Sequence, residues 1–379
     1  MSLVRAPSRA YLPGPGLTLI LRAALLDGPT ARLAWLDGRS AFALPERDQN
    51  PAARWLGPLL AVNVERIGLG DDPLLPALRA MREVVAQRND KLFDHVSELV
   101  RAYSSEGVDV MLLKGAALVG GEGRDPSVRP MSDIDLLVRP AYVMHAIGIA
   151  EGTGWTARQA VGPSFLAVKH AAHFADVDGC QLDLHWYVFE ECCIPAIDDG
   201  IWARSLPTEL RGTAARCPSP SDAVLHACVH GARWTRTPGV RWASDAWAII
   251  NGSDVSWETL LEEAERRAFV VRLRSTLTYL RRALDTPVPD WVQGQLATAR
   301  TGIMERLEHA ALGYEQRRLG ALPSYWFNFH RARGADGPVA LLAFPAYLGA
   351  AWNVDSPAAL VLAAAGRVNA RLRSSRPIP

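Results

Sequence analysis

Residues 112–140 read LLKGAALVGGEGRDPSVRPMSDIDLLVRP, and the rest of the chain is best understood from how the two ends of this stretch pair with their surroundings. VDVMLL (108–113), bounded by Gly107 and Gly115, and IDLLV (134–138) are short apolar runs of the kind that form buried strands. Side chains alternate between the faces of a strand, so Ile134, Leu136 and Val138 point toward a core while Asp133 and Asp135 share the opposite face. Two like charges on one face repel, and a bound divalent cation removes that cost. Magnesium takes oxygen ligands, often one or two carboxylates, and completes its shell with substrate phosphates. A DxD pair alone reads equally well as a solvated strand edge. LLKG closes the upstream strand before the helix-like AALV. Gly115 at that turn lets a phosphate approach the backbone at a helix N-terminus, and Lys114 adds a point charge beside it. Taken alone, Lys114-Gly115 is also a plain loop turn.

A third acid stands further along. KHAAHFADVD (169–178) and CQLDLHWYVF (180–189) flank Asp178-Gly179, a dipeptide favoured in type I′ hairpins. On the second strand Leu182, Leu184 and Trp186 read as core, which leaves Asp183 and His185 on the other face. Three acids from two neighbouring strands suit two-metal phosphoryl chemistry, in which the ions lie about 3.5–4 Å apart. The pattern predicts a small mixed sheet over about residues 108–190.

Helical patterns surround it, and the expected class is α+β. The expected units are a helical N-terminal region (1–106), an α/β core (107–215) and a helical C-terminal domain (216–379). Leu92, Val96, Leu99, Val100 and Tyr103 recur at helical spacing within a long amphipathic helix over about 75–103, and Gly107 supplies its stop. Pro140 suits the first turn of a helix. SPSDAVLHACVHGARW (219–234) opens with Ser/Asp capping chemistry. LTLILRAALL (17–26) is interrupted by Arg22 and lacks a cleavage pattern, so a signal peptide is not expected. The apolar run 339–352, interrupted by Pro345, is too short to span a bilayer and reads as a buried helix.

Composition narrows the function classes. At roughly 100–200 residues per domain, 379 residues give two or three packing units. With 49% hydrophobic and 21% charged residues and a net charge of +1, the chain reads as globular, without the basic field of a protein that binds long nucleic acids. The only lysines are Lys91, Lys114 and Lys169 among 41 basic residues, so a lysine inside a motif points to a need for a compact ammonium. Five cysteines without CxxC spacing argue for a reducing cytoplasm over a disulfide framework.

Together, LLKG (112–115), Arg129, SDIDLLV (132–138) and LDLHW (182–186) resemble the uncharacterised nucleotidyltransferase family of the DNA polymerase β-like superfamily. The likeness runs from about residue 107 to 189, and more loosely through PSPSDAVLHACVHGARW (218–234) and GVRWASDAWAII (239–250). The resemblance implies magnesium, with manganese as an alternative, and an NTP as co-substrate. It implies that Asp133 and Asp135 bridge the ions to the triphosphate, that Asp183 holds the catalytic ion and helps deprotonate an acceptor hydroxyl, and that Lys114 and Gly115 face the leaving phosphates. The implied reaction moves a nucleoside monophosphate to an unidentified small-molecule, peptide or protein acceptor and releases pyrophosphate. The superfamily more often carries Gly-Ser before the DxD; Lys114-Gly115 and the longer spacing to Asp133 match the KG-type family. GGEG (120–123) stands where relatives tend to carry an aromatic residue.

Two other readings use the same residues: a non-catalytic nucleotide-binding or interaction module, and a metal-dependent phosphohydrolase with water as acceptor. Arg129 either clamps a phosphate in the nucleotide site or is an ordinary surface arginine, and Ser132 either caps the turn or touches a phosphate. His185 either orients Asp183 or contacts the nucleotide. His170 and His173, three apart, face opposite sides of a regular strand and make poor joint zinc ligands. His226 and His230 are one helical turn apart, without the Glu of HExxH, and read as a helix–helix interface; the resemblance turns His230 toward the cleft. Asp245 pairs with Arg241 or Arg233, or contacts the acceptor, and Trp234, Trp242 and Trp247 read as core.

Overall fold

Seven strands form one mixed sheet: β1 (Met111–Leu113), β2 (Ile134–Leu137), β3 (Thr156–Ala157), β4 (Ala171–Ala175), β5 (Gln181–His185), β6 (Leu206–Leu210) and β7 (Thr213–Cys217). Their order across the sheet is β3-β4-β5-β2-β1-β7-β6. In this computed structural model the described residues are 11–42, 51–121, 123–233, 239–313, 322–333, 338–354 and 356–374. β2 runs antiparallel to β1 and parallel to β5, in a register that sets Asp135 directly beside Asp183. The class is α+β, as the sequence pattern implies.

Both faces of the sheet are covered. On one, Ile134, Leu136, Leu182, Leu184 and Trp186 pack against Leu92, Val96, Leu99 and Tyr103 of the Leu75–Ser105 helix. Burying each such side chain stabilises the fold by about 1.5–3 kcal/mol before entropy is counted. The helix ends where Gly107 turns to φ 69, and the Val108 N–H donates back to the Tyr103 carbonyl at 2.9 Å. On the other face Met111, Leu113, Leu137 and Phe189 join helices from both ends of the chain, among them Pro15–Leu25, Pro51–Arg66, Pro220–Gly231, Arg241–Gly252 and Val270–Leu284. The N-terminal and C-terminal helices thus share one core. Asp135 alternates with Leu136 and so projects toward this helical layer.

Several local expectations are corrected. The sheet continues past residue 190 to Cys217, because LPTEL and TAARC form a hairpin whose two loop residues, Arg211 and Gly212, both have positive φ (50 and 76). Asp178-Gly179 is not a two-residue turn. Ala175 pairs with Gln181 across a five-residue loop in which the Asp176 carboxylate accepts the N–H groups of Asp178 and Cys180. Pro140 opens a short 3-10 turn, Pro140–Tyr142, ahead of the Val143–Gly152 helix. Pro338–Trp352 stays helical through Pro345 but is not buried all round: Tyr347 and Leu348 are buried, whereas Leu342 is 82% exposed. Trp242 is core and Trp247 packs partly buried against it, while Trp234 and Glu122 lie outside the described residues. The five cysteines are free thiols, and among the described residues no single helix is long and apolar enough to cross a membrane.

Candidate active site

Lys114 follows β1 with φ 48, a left-handed backbone that costs a side chain about 1–2 kcal/mol, and the chain turns there into the short Lys114–Ala116 helix. The turn delivers the ammonium to Asp135: Lys114 Nζ donates to Asp135 Oδ1 at 2.5 Å, and His185 Nε2 lies 3.0 Å from the same oxygen. Asp135 is 5% exposed. Burial pushes its carboxyl up, but the Lys114 ammonium and His185 outweigh that and hold it well below the usual carboxylate range. Beside it on β5, Asp183 accepts a hydrogen bond from His173 Nδ1. One ligand-capable atom from each of Asp135, Asp183 and His185 lies within 4.8 Å of the other two.

Asp133 sits just ahead of β2 and outside that tight group of three, but it lines the same cavity. Its carboxylate accepts the Ser132 hydroxyl at 3.0 Å. Burial, then the charges of Asp135 and Asp183, raise its pKa. A carboxylate crowded by two others is the situation a hard divalent cation relieves, and an oxygen-rich donor set of this kind suits magnesium or manganese.

Gly115 has a packing reason to be glycine. A Cβ there would lie 1.8 Å from Arg129 Nη1 and 2.9 Å from Met131 Sδ. Arg129 has no freedom to yield, because its Nε and Nη2 grip both oxygens of Asp245 at 2.9 and 2.7 Å. Asp245 therefore pairs with Arg129, not with Arg241 or Arg233; Arg233 pairs with Glu191 at 3.0 Å. Arg129 is enclosed and paired, unlike an ordinary surface arginine.

The cavity measures about 280 Å³. Lys114, Gly115, Arg129 and the three acids line one side, and His226, His230 and Trp242 from the helical layer line the other. His226 and His230 thus face the cavity as well as each other, their rings 6.2 Å apart. His185, 1% exposed, lies beneath Asp135, and Ser132 acts through Asp133; neither is part of the cavity wall. His173 is the hydrogen-bond partner of Asp183. His170 lies just before β4, its ring 5.1 Å from that of His185.

Burial, reinforced by Lys114 and Arg233, holds His226 and His230 well below the usual imidazole range. Both stay neutral in the fold while the unfolded chain protonates them below about pH 6.5. Their contribution to stability is therefore complete above that pH and is lost as pH falls, by up to about 1.4 kcal/mol per histidine per pH unit. Denaturant unfolding at pH 7.5 and 5.5 should show the loss, and His226→Gln should lessen it.

A mixed sheet that sets an Asp-x-Asp pair beside a third acid on the adjoining parallel strand, next to a strand-to-helix turn, defines a nucleotidyltransferase-type protein. The chain belongs to the uncharacterised nucleotidyltransferase family, whose model matches residues 52–285. Among solved structures, the antibiotic-resistance factor ANT(2'')-Ia is 14% identical with a TM-score of 0.34, covering 52% of this chain and 96% of its own. An antigenic nucleotidyltransferase-like protein from Paracoccidioides brasiliensis is 14% identical with a TM-score of 0.29, covering 52% of this chain and 94% of its own. No curated protein matches the chain.

Proposed function

We propose that the protein transfers a nucleoside monophosphate from an NTP to a hydroxyl of a small molecule, peptide or protein, releasing pyrophosphate. The observation that carries this reading is the β2–β5 register, which brings Asp135 and Asp183 together at one cavity with Asp133 and Lys114. Divalent ions held by Asp133, Asp135 and Asp183 would supply charge neutralisation on the triphosphate and polarise the attacking oxygen. Lys114, which reaches Asp135 from a rigid turn, is placed to exchange that contact for a phosphate oxygen. Asp183 receives the proton of the acceptor hydroxyl, and His173 fixes the orientation of its carboxylate. The acceptor oxygen bonds to the α-phosphorus, the bond from that phosphorus to the oxygen bridging the β-phosphate breaks, and pyrophosphate departs. Arg129 holds Asp245 and the Gly115 turn, and we assign it positioning of the phosphate turn. His185 holds Asp135 in place.

The test is incubation of the purified protein with magnesium, each α-labelled NTP in turn, and cell extract. Label on a macromolecule or metabolite together with free pyrophosphate supports transfer; free nucleotide alone supports hydrolysis, and neither product supports a binding module. With the acceptor in hand, Asp183→Asn should lower kcat by on the order of 100-fold or more, the scale of a lost general base, and change KM for the NTP less than about threefold. Equal losses in both parameters would contradict the role given to Asp183.

A further inference from the structure

Arg241 is the first residue of the 12-residue Arg241–Gly252 helix and lines the catalytic cavity. It also lines a second cavity, of about 310 Å³, walled in part by Trp55 and Leu59 of the Pro51–Arg66 helix. The other cations of the catalytic cavity are neutralised within the fold: Lys114 by Asp135 and Arg129 by Asp245. Arg241 differs. Among the described residues its guanidinium has neither a hydrogen bond nor an ion pair, and its one described contact is the Trp55 ring, 3.9 Å from Cζ to the centroid. Such a stack is worth about 0.5–2 kcal/mol and uses the face of the guanidinium, leaving its five N–H donors for solvent or a ligand. Burial, then the positive charge of Arg129, depress the Arg241 pKa, and the charges of Asp245, Asp133 and Asp135 do not make up the difference. A half-buried guanidinium on the cavity wall, with no hydrogen-bond or ion-pair partner among the described residues, has its donors available to an anion that enters the cavity.

We infer that Arg241 is an anion-binding residue that takes the β- or γ-phosphate of the nucleotide, working with the start of its own helix. The helix adds to the field. Its first internal hydrogen bond runs from the Ser244 N–H to the Val240 carbonyl, so the N–H groups of residues 241–243 have no partner within the helix, and its dipole is positive at this end. The assignment rests on the proposed use of an NTP, which brings a polyphosphate into this cavity. The planar fork of Arg241 contributes two directed donors to one phosphate, complementing the point charge of Lys114 on the opposite wall.

The experiment is calorimetric titration of the full-length protein with Mg-NTP, Mg-pyrophosphate and Mg-NMP, comparing wild type with Arg241→Met and Arg241→Lys, alongside thermal melting. In Arg241→Met, NTP and pyrophosphate should both bind roughly 10- to 100-fold more weakly, the scale of a lost charge-assisted hydrogen bond, while NMP binding changes little. Arg241→Lys should recover part of the loss. The melting temperature of Arg241→Met should change little, because no hydrogen bond or ion pair among the described residues is lost and only the stack on Trp55 is given up. Wild-type NTP affinity in Arg241→Met, or a melting temperature several degrees lower, overturns the assignment. A wild-type protein that binds no Mg-NTP instead defeats the nucleotidyltransferase reading, and this assignment with it.

Discussion

Asp135→Asn should remove nucleotidyl transfer by a factor on the order of 1,000 or more, comparable to losing a charge clamp on the transferred phosphoryl group. The reason is where the carboxylate sits. It is almost fully buried, holds both Lys114 and His185 on one oxygen, and stands beside Asp183 in the parallel register. An amide keeps the shape and the strand pairing but deletes the charge that, in the proposed function, holds the metal–nucleotide complex. It also leaves the Lys114 ammonium without its direct ion-pair partner, so the variant should be less stable by about 3–5 kcal/mol, the range for breaking an enclosed ion pair from one side. Lys114 is 24% exposed, which places the loss toward the lower end. Rates of NTP consumption and a denaturant titration measure the two effects separately. An active Asp135→Asn protein would remove this residue from the chemistry.

Gly115→Ala should destabilise the protein by about 3 kcal/mol, combining overpacking with the disturbance of an enclosed ion pair. The new methyl would occupy the space of the Arg129 guanidinium, and Arg129 yields only by releasing Asp245. Because Asp245 lies on the Arg241–Gly252 helix, the strain passes from the Lys114-Gly115 turn into the helical wall of the cavity. A second substitution discriminates. Asp245→Ala frees Arg129 to move, so Gly115→Ala made in that background should cost distinctly less than in the wild type. Additive losses in the double variant would show that Arg129 is not what the methyl strikes.

How much of this could be read from residue order differs from part to part. The alternation in SDIDLLV and LDLHW was sufficient to place Asp133, Asp135 and Asp183 on one side of the sheet, because a buried strand leaves its polar residues few places to go. The partner of Asp183 was not readable. A two-residue Asp178-Gly179 turn sets Asp183 against Phe174, whereas the five-residue loop closed by the Asp176 carboxylate sets it against His173. One residue of register exchanges an apolar neighbour for a polar one. The β6–β7 hairpin escaped notice because Arg211 occupies a left-handed position that favours glycine or asparagine, so Arg-Gly carries little of the signal that Asn-Gly would. The Arg129–Asp245 pair joins residues 116 apart in sequence, and no local pattern encodes such a meeting. The same holds for Arg241 over Trp55, which come from different ends of the chain.

The claim that the acids of β2 and β5 form one metal–nucleotide site is tested most directly by manganese(II) titration, followed by electron paramagnetic resonance, with a non-hydrolysable NTP present. Wild type should bind manganese with an affinity that rises when the NTP is added, and Asp133→Asn and Asp135→Asn should each abolish that rise. Manganese binding that ignores the nucleotide, or that survives intact in both variants, would contradict it.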